Sequence, residues 1–150
     1  MIFLDYKLAE KMIKKIIKKN SDVLFNVVNF LYENFGHYNW VGIYIIKDNA
    51  LILGPWKGTQ ATEHTKIPVG KGICGSAALS GKTEIIGDVT IDKRYLSCFI
   101  STKSEIVVPI KKGKKILGEI DIDSNKKNAF SEKDKVFLEN LADMLFEHIH

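Results

Sequence analysis

The chain contains 150 residues, of which 45% are hydrophobic and 27% are charged. This length suits one ordinary domain, and this composition argues against a disordered, fibrous or membrane protein. A net charge of +4 is too small to indicate a nucleic-acid partner, and two cysteines are too few for a secreted disulfide scaffold. We therefore expect a single cytoplasmic domain over residues 1–150, with no membrane-spanning segment and no nucleic-acid partner.

Two amphipathic helices are predicted for the N-terminal region. Apolar residues recur at helical spacing from Leu8 to Ile17 and again from Val23 to Phe35. Asn20 or Ser21 could cap the second of these helices. Lysines fill the other face of the first helix and could contact a membrane or a nucleic acid, but the lack of interleaved aromatic residues favours a solvated face. The helical region is expected to end near Gly36.

The rest of the chain, residues 37–150, is dominated by strand patterns with a period of two. A short helix is expected over residues 76–79, and Ser131 with Asp134 forms a variant capping box that opens a final helix. Because hairpins dominate, the sheet should be mostly antiparallel, and the terminal helices should cover one face of an α+β domain. The expected strands are 40–46, 50–53 (ended by Gly54-Pro55), 65–69, 83–86, 105–110 and 115–123, and the inward residues of the final helix are Val136, Phe137, Leu141, Leu145 and Ile149.

Three carboxylates occupy alternate positions of the last predicted strand. Glu119, Asp121 and Asp123 share one strand face because side chains alternate along a strand. Such a row is either an exposed polar face or a site for a cationic group. Oxygen ligands suit Mg²⁺ or Ca²⁺, but no other residues complete a ligand set, so we expect neither a metal nor another cofactor.

Two aromatic residues flank a glycine on the first predicted strand. Trp40, Gly42 and Tyr44 fall on one face, where the glycine leaves a notch between two aromatic rings. The three residues either pack in the core or accept an apolar ligand in this notch.

Cys74 and Cys98 are candidates for redox chemistry. Cys74 comes just before the short predicted helix, where free amides and the helix dipole should lower the pKa of its thiol. Cys98 lies in a long polar loop over residues 88–103, where a structural core cysteine would be out of place. With only His64 as a nearby imidazole, the spacing argues against a zinc site. A lone cysteine is usually just a small apolar residue, and the combination of a loop cysteine with one at a helix start is what favours redox chemistry here.

An ordered series of short motifs resembles the free methionine-(R)-sulfoxide reductases, which are single GAF domains. The resemblance covers the chain from about Asn39 to its C-terminus. It implies a GAF-like antiparallel sheet of about six strands with helices packed on it. The motifs are Asn39-Trp-Val-Gly-Ile-Tyr44, Leu53-Gly-Pro55, Ile67-Pro-Val-Gly-Lys-Gly-Ile-Cys-Gly75, Gly87-Asp-Val89, Ser104-Glu-Ile-Val-Val-Pro109 and Leu117-Gly-Glu-Ile-Asp-Ile-Asp-Ser124.

The resemblance also implies an activity, the reduction of free methionine (R)-sulfoxide with thioredoxin as the usual reductant. Cys98 aligns with the catalytic cysteine of the family, and Cys74 aligns with a cysteine that forms a disulfide with it. The substrate-binding residues implied by the family are Glu105, Asp121 and Asp123 for the ammonium group, and Trp40 and Tyr44 for the methyl end.

The sequence departs from the family pattern at two places. His64 stands where many members have a third cysteine, and Tyr95-Leu-Ser-Cys-Phe99 replaces the common His-Ile-Ala-Cys-Asp. The second change removes two polar groups beside Cys98, which leaves Glu105 or Asp123 as the group that protonates the sulfoxide. Family members are often dimers, so a homodimer is also expected by analogy. The alternative function is that of a non-catalytic GAF sensor binding an amino-acid-like or nucleotide ligand.

Overall fold

The computed structural model describes residues 5–96, 99 and 101–150, and an antiparallel sheet of six strands forms its centre. The strand order is β3-β2-β1-β6-β5-β4, and every neighbouring pair is antiparallel. This confirms the predicted mostly antiparallel sheet. The strands are β1 (Trp40–Lys47), β2 (Ala50–Gly58), β3 (Lys66–Pro68), β4 (Glu84–Ile86), β5 (Ser104–Lys112) and β6 (Lys115–Ser124).

The second strand is longer than predicted. Gly54-Pro55 was expected to end it, but β2 continues to Gly58. Its pairing with β1 shifts register between Gly42 and Tyr44, so Pro55 lies at a bulge, where a missing backbone N–H is tolerated.

Three helices cover one face of the sheet, as predicted for an α+β domain. They are α1 (Tyr6–Lys19), α2 (Val23–Asn34) and, after a third helix, α4 (Glu132–Leu145). The core beneath them contains Val41 and Ile43 of β1 and Ile120 and Ile122 of β6, all at most 1% exposed. Alternation along the strands therefore turns the remaining side chains of β1 and β6 to the opposite face.

Some residues that were expected to face inward are exposed. Leu8 and Met12 of α1 are 46% and 39% exposed, and Val136 of α4 is 50% exposed. In α1 the buried positions are Ala9 and Ile13. The buried stripe of α1 is thus rotated away from Leu8 and Met12 relative to the prediction.

The start of the second helix differs from the prediction, whereas the start of the last helix agrees with it. Asn20 ends α1 in the left-handed conformation with a φ of 52°, and Asp22 occupies the N-cap position of α2, so neither Asn20 nor Ser21 begins that helix. The predicted capping box of Ser131 and Asp134 is present at the start of α4.

A buried hydrogen-bond network joins the start of α4 to two other parts of the chain. Asp134, 1% exposed, accepts hydrogen bonds from Tyr6 (2.9 Å) and Tyr38 (2.7 Å) and pairs with His37 Nε2 at 2.8 Å. Burial acts to raise the pKa of Asp134, but these bonds and the Ser131 N–H outweigh it and lower the pKa to about 2. Asp134 thus fixes α1 and the chain leading into β1 against α4.

The third helix lies on the opposite face of the sheet. This helix, α3, runs from Gly72 to Ser80, which is longer than predicted, and its Ile73, Cys74, Ala77 and Ala78 are buried against that face. None of the helices in the described ranges is long and apolar enough to cross a membrane.

Candidate active site

The candidate site lies where α3 covers the second face of the sheet. Strand register brings Glu105, Asp121 and Asp123 together on this face, since Asp123 of β6 stands opposite Glu105 of β5. On the other side of β6, Asp123 stands opposite Trp40 and Glu119 stands opposite Tyr44, both of β1. The structure therefore gathers onto one surface the substrate-binding residues expected from the sequence.

The carboxylates of this surface are buried. Glu119 is 0% exposed, Asp123 is 4% exposed, and Glu105 and Asp121 are each 5% exposed. The interpretation of this row as an exposed polar face is therefore wrong, because α3 covers it. Asp121 and Asp123 each have one buried oxygen without a hydrogen-bond partner among the described residues, and Glu119 has two.

Burial and mutual repulsion raise the pKa values of these carboxyl groups. Burial is the largest cause that raises the pKa of Glu105, Asp121 and Asp123, and charge on Asp121 raises the pKa of the other two further. Within the described part of the chain, the ion pairs formed by lysine and arginine side chains do not include any of these carboxylates. The surface is thus a buried acidic site that a cationic group would stabilise.

Cys74 faces this acidic surface from the first turn of α3. Its thiol donates a long hydrogen bond of 3.9 Å to Oε2 of Glu105. One ligand atom from each of Cys74, Glu105 and Asp121 lies within 4.8 Å of the others, a spacing at which the three could ligate one cation. The expectation that the protein holds no metal stays a prediction.

The expected activation of Cys74 by the helix dipole is wrong. Its pKa is raised, first by burial and then by charge on Asp121, Glu119, Glu105 and Asp123. A buried thiolate next to several carboxylates is disfavoured more strongly than one helix N-terminus can offset. Cys74 is therefore a thiol in this structure.

Aromatic rings form a wall at the other end of the acidic surface. The indole of Trp40 lies over Gly42, so this ring itself fills the notch inferred from the sequence. It stacks on Trp56 with ring centroids 6.2 Å apart and contacts Phe99 at 6.1 Å. Nε1 of Trp40 is buried without a hydrogen-bond partner among the described residues. Tyr44, 1% exposed, instead donates a hydrogen bond of 2.7 Å to the His64 carbonyl.

Two small cavities open between these groups. One of about 70 Å³ is lined by Trp40, Phe99, Thr102 and Asp123 among others. The other, about 20 Å³, lies beside Cys74, and its other lining residues are Tyr44, His64, Ile67, Ile73, Tyr95, Leu96, Glu105 and Asp121. The second cavity has room for roughly one water molecule, so an amino acid can enter it only if the residues that cover it move.

The segment that covers the second cavity is held by an arginine. Arg94 forms two hydrogen bonds with Glu84 of β4 (2.9 and 3.1 Å) and pairs with Asp92 at 2.9 Å. Leu96 packs on Gly72, which has a φ of +69° and no room for a side chain. Cys98, the second cysteine predicted to act here, lies outside the described residues.

Two residues of the site were missed as functional candidates. Glu119 was recognised as part of the carboxylate row, but no role was assigned to it. Trp56 comes after Pro55, where the strand was expected to have ended. Pairing it with Trp40 required the register between β1 and β2, which the sequence pattern does not give.

Comparison with known proteins identifies relatives over nearly the whole chain. Residues 20–148 match the GAF domain family. The chain is 38% identical over 146 residues to protein YtsP of Bacillus subtilis, covering 94% of this chain and 88% of that protein. It is 36% identical over 122 residues to the free methionine-R-sulfoxide reductase of Escherichia coli, covering 81% of this chain and 73% of that protein.

A solved structure shows the same fold with a substrate present. Free methionine-R-sulfoxide reductase from Neisseria meningitidis, in complex with its substrate, aligns with a TM-score of 0.86 at 31% identity. The alignment covers 99% of this chain and 94% of that chain.

Proposed function

Since the chain belongs to the GAF domain family and, within it, to the free methionine-R-sulfoxide reductases, we propose that it reduces the (R)-sulfoxide of free methionine through Cys98 and Cys74. The reductase activity is inferred from the relatives described above. The observation that carries the proposal is the buried acidic surface of Glu105, Asp121 and Asp123 beside the Cys74 thiol.

The acidic surface selects a free amino acid. The ammonium group of methionine sulfoxide would occupy the space between Glu105, Asp121 and Asp123, where its single positive charge would return one of them to its charged form. A methionine within a peptide has no ammonium group and would leave these buried groups unpaired, so it is rejected. Trp40 and Tyr44 supply aromatic surface for the S-methyl end of the substrate.

The chemistry proceeds by thiol attack on the sulfoxide. The Cys98 thiolate attacks the sulfoxide sulfur while a carboxylic acid protonates the oxygen, methionine leaves, and Cys98 becomes a sulfenic acid. The raised pKa values of Glu105 and Asp123 favour either as that acid, because each retains a proton to donate. Cys74 then attacks Cys98, releasing water and forming a disulfide, which thioredoxin reduces by exchange.

This cycle requires the site to open. Tyr95 and Leu96 cover a cavity of only about 20 Å³ beside Cys74. Substrate entry therefore requires this segment to lift away from α3. We place the protein in the cytoplasm, where dithiol reductants keep thiols reduced. A homodimer is proposed only by analogy with the family.

The decisive assay supplies purified diastereomers of free methionine sulfoxide together with thioredoxin, thioredoxin reductase and NADPH. We expect NADPH oxidation with the R form and none with the S form or with a peptide that contains methionine sulfoxide. No oxidation with the R form, while the Escherichia coli relative works in parallel, would refute the proposal.

Cysteine variants separate the two halves of the cycle. Cys98→Ser should abolish even one turnover, since it removes the attacking sulfur. Cys74→Ser should yield one methionine per protein molecule but no steady-state turnover with thioredoxin. The amount of methionine released per protein molecule, measured by mass spectrometry without reductant, checks both predictions. Unchanged steady-state turnover in Cys74→Ser would refute the role of Cys74 in recycling.

A further inference from the structure

A thiol and two carboxyl groups from three different elements converge beside the smaller cavity of the site. Cys74 comes from the first turn of α3, Glu105 from β5 and Asp121 from β6, and one ligand atom of each lies within 4.8 Å of the others. All three residues are buried, with exposed fractions of 7%, 5% and 5%. The carboxylate row of β6 did not suggest this set, because two of its members come from α3 and β5.

One oxygen of Asp121 lacks the partner that a buried carboxylate needs. Its Oδ1 is buried without a hydrogen bond among the described residues, and Asp121 lines the cavity beside Cys74 together with Glu105. In the described part of the chain, the lysine and arginine ion pairs involve other carboxylates. An unpaired buried oxygen destabilises the fold, so this oxygen is placed to receive a positively charged ligand.

The ligand atoms offered here distinguish between the cations that could bind. Mg²⁺ and Ca²⁺ prefer a shell made entirely of oxygen atoms, whereas this cluster offers a thiol with its two carboxyl groups. Zn²⁺ accepts thiolate and carboxylate ligands together, in a tetrahedron whose sulfur and oxygen atoms are about 3.6 Å apart. Sγ of Cys74 and Oε2 of Glu105 are 3.9 Å apart, close to that separation. The cavity of about 20 Å³ has room for one water molecule as a fourth ligand.

We propose that Cys74, Glu105 and Asp121 form a binding site for Zn²⁺. The ion displaces the proton of the Cys74 thiol, which passes to solvent, and no electrons are transferred. The ion binds reversibly and supplies no step of the proposed reaction, so the expectation that the reaction uses no metal is unaffected. The inference goes beyond the proposed function, because zinc binding needs neither Cys98 nor a sulfoxide.

Bound zinc would block the site in two ways. It would occupy the space beside Glu105 and Asp121 in which the ammonium group of the substrate is proposed to lie. It would also hold the Cys74 sulfur that is proposed to form the disulfide. Zinc and a free amino acid should therefore exclude each other. This consequence, unlike the binding itself, rests on the proposed function, and it makes zinc a reversible inhibitor of the reductase.

Co²⁺ is the probe for this site, because it adopts the same tetrahedral geometry as Zn²⁺ but absorbs light. Cys98→Ser protein, in which Cys74 is the one remaining cysteine, is titrated with Co²⁺ in the absence of oxygen. We expect intense visible bands of tetrahedral cobalt and a thiolate-to-cobalt charge-transfer band in the near ultraviolet, both saturating at one Co²⁺ per chain. Excess Zn²⁺, which is colourless, should remove both. Histidine side chains cannot produce the charge-transfer band, so it reports on the Cys74 sulfur.

Variants of the Cys98→Ser protein locate the bound ion. Adding Cys74→Ser should remove the charge-transfer band. Asp121→Asn and Glu105→Gln should each weaken Co²⁺ binding by at least about 10²-fold, because loss of a mere outer-shell partner already costs about 10–100-fold in metal affinity. Glu139→Gln is the matched control, since Glu139 lies on α4 and accepts a hydrogen bond from Thr83. Its Co²⁺ affinity should equal that of the Cys98→Ser parent, and circular dichroism checks that each variant is folded.

Competition tests the overlap with the proposed substrate site. Free methionine should bleach the bands of the Co²⁺ complex, because its ammonium group would take the place of the ion. Alanine at the same concentration is the control, since it chelates cobalt in solution as any amino acid does but lacks the long side chain that reaches the aromatic wall. Alanine should leave most of the absorbance in place.

Each failure has a separate signature. The absence of a charge-transfer band, or equal Co²⁺ affinities in Asp121→Asn, Glu105→Gln and Glu139→Gln, would overturn the zinc site and leave the reductase activity standing. Methionine that bleaches the bands no better than alanine would overturn the exclusion of substrate by zinc. If the assay with free methionine (R)-sulfoxide shows no NADPH oxidation, the proposed function fails, but the zinc site still stands on the cobalt titration.

Discussion

At the scale of single residues, the site brings together groups that destabilise the folded protein. Among the residues that the structure describes, Glu119 contributes two buried oxygens without hydrogen-bond partners, and Asp121 and Asp123 contribute one each. Cys74 is held as a thiol among them. Such arrangements are retained where a ligand or a reaction needs them, because selection for stability alone would replace them with apolar side chains.

Glu119→Val should therefore stabilise the protein. Valine is close to glutamate in size and removes both partnerless oxygens, so the free energy of unfolding should rise by about 1–2 kcal/mol. Urea denaturation monitored by circular dichroism checks this, with Glu139→Val on a partly exposed helix position as the comparison. A lower free energy of unfolding in Glu119→Val would mean that the carboxyl has a stabilising partner.

At the scale of elements, α3 and the segment before Cys98 close the site from above. The segment is anchored to β4 by Arg94 through Glu84, and Leu96 rests on Gly72 at the start of α3. The sheet below is fixed by its core on the other face. Opening of the site is therefore expected to involve this anchored segment and to leave the sheet unchanged.

Arg94→Met should loosen that segment. Glu84 and Asp92 would lose a shared cation, and since the Arg94 side chain is 39% exposed, we discount the loss to about 1 kcal/mol. Local opening should then increase about fivefold, which amide hydrogen exchange over residues 92–96 measures. Lys127→Met, which removes an exposed pair with Asp88, should leave this exchange unchanged. Equal protection in Arg94→Met and wild type would contradict the anchoring role.

At the scale of the whole molecule, two groups of carboxyls give opposite pH dependences. Asp134 has a pKa of about 2, below the ordinary value of 3.8, so its stabilisation is present above about pH 4 and is lost as the pH falls towards 2. Glu105, Glu119, Asp121 and Asp123 have raised pKa values. Their contribution is fully present below the unfolded value near 4 and is lost as the pH rises through the raised values.

The ligand-free protein should therefore become less stable between about pH 5 and about pH 8, where many proteins are near their maximum. Each carboxyl that is protonated only in the folded state contributes a slope of about 1.4 kcal/mol per pH unit. Urea midpoints across this range test the prediction, and Glu119→Val should reduce the slope. Stability that increases towards alkaline pH in wild type would show that these groups are ionised.

Local patterns predicted much of the fold and part of the site. Alternation placed Asp121 and Asp123 on one face, and the box of Ser131 and Asp134 correctly began the last helix. The burial of that face was not predictable, because it depends on α3 covering strands that lie far from it in sequence. The same long-range contact reversed the expected pKa shift of Cys74.

The aromatic wall gives the protein an optical label at its own site. The chain contains two tryptophans, and both belong to this wall, stacked with an angle of 11° between their planes. Fluorescence that is excited selectively in the tryptophan indole rings therefore arises beside the acidic surface and nowhere else in the chain. Ligand arrival and departure can be followed by fluorescence without attaching a dye, and near-ultraviolet circular dichroism of the stacked pair reports whether the wall keeps its geometry.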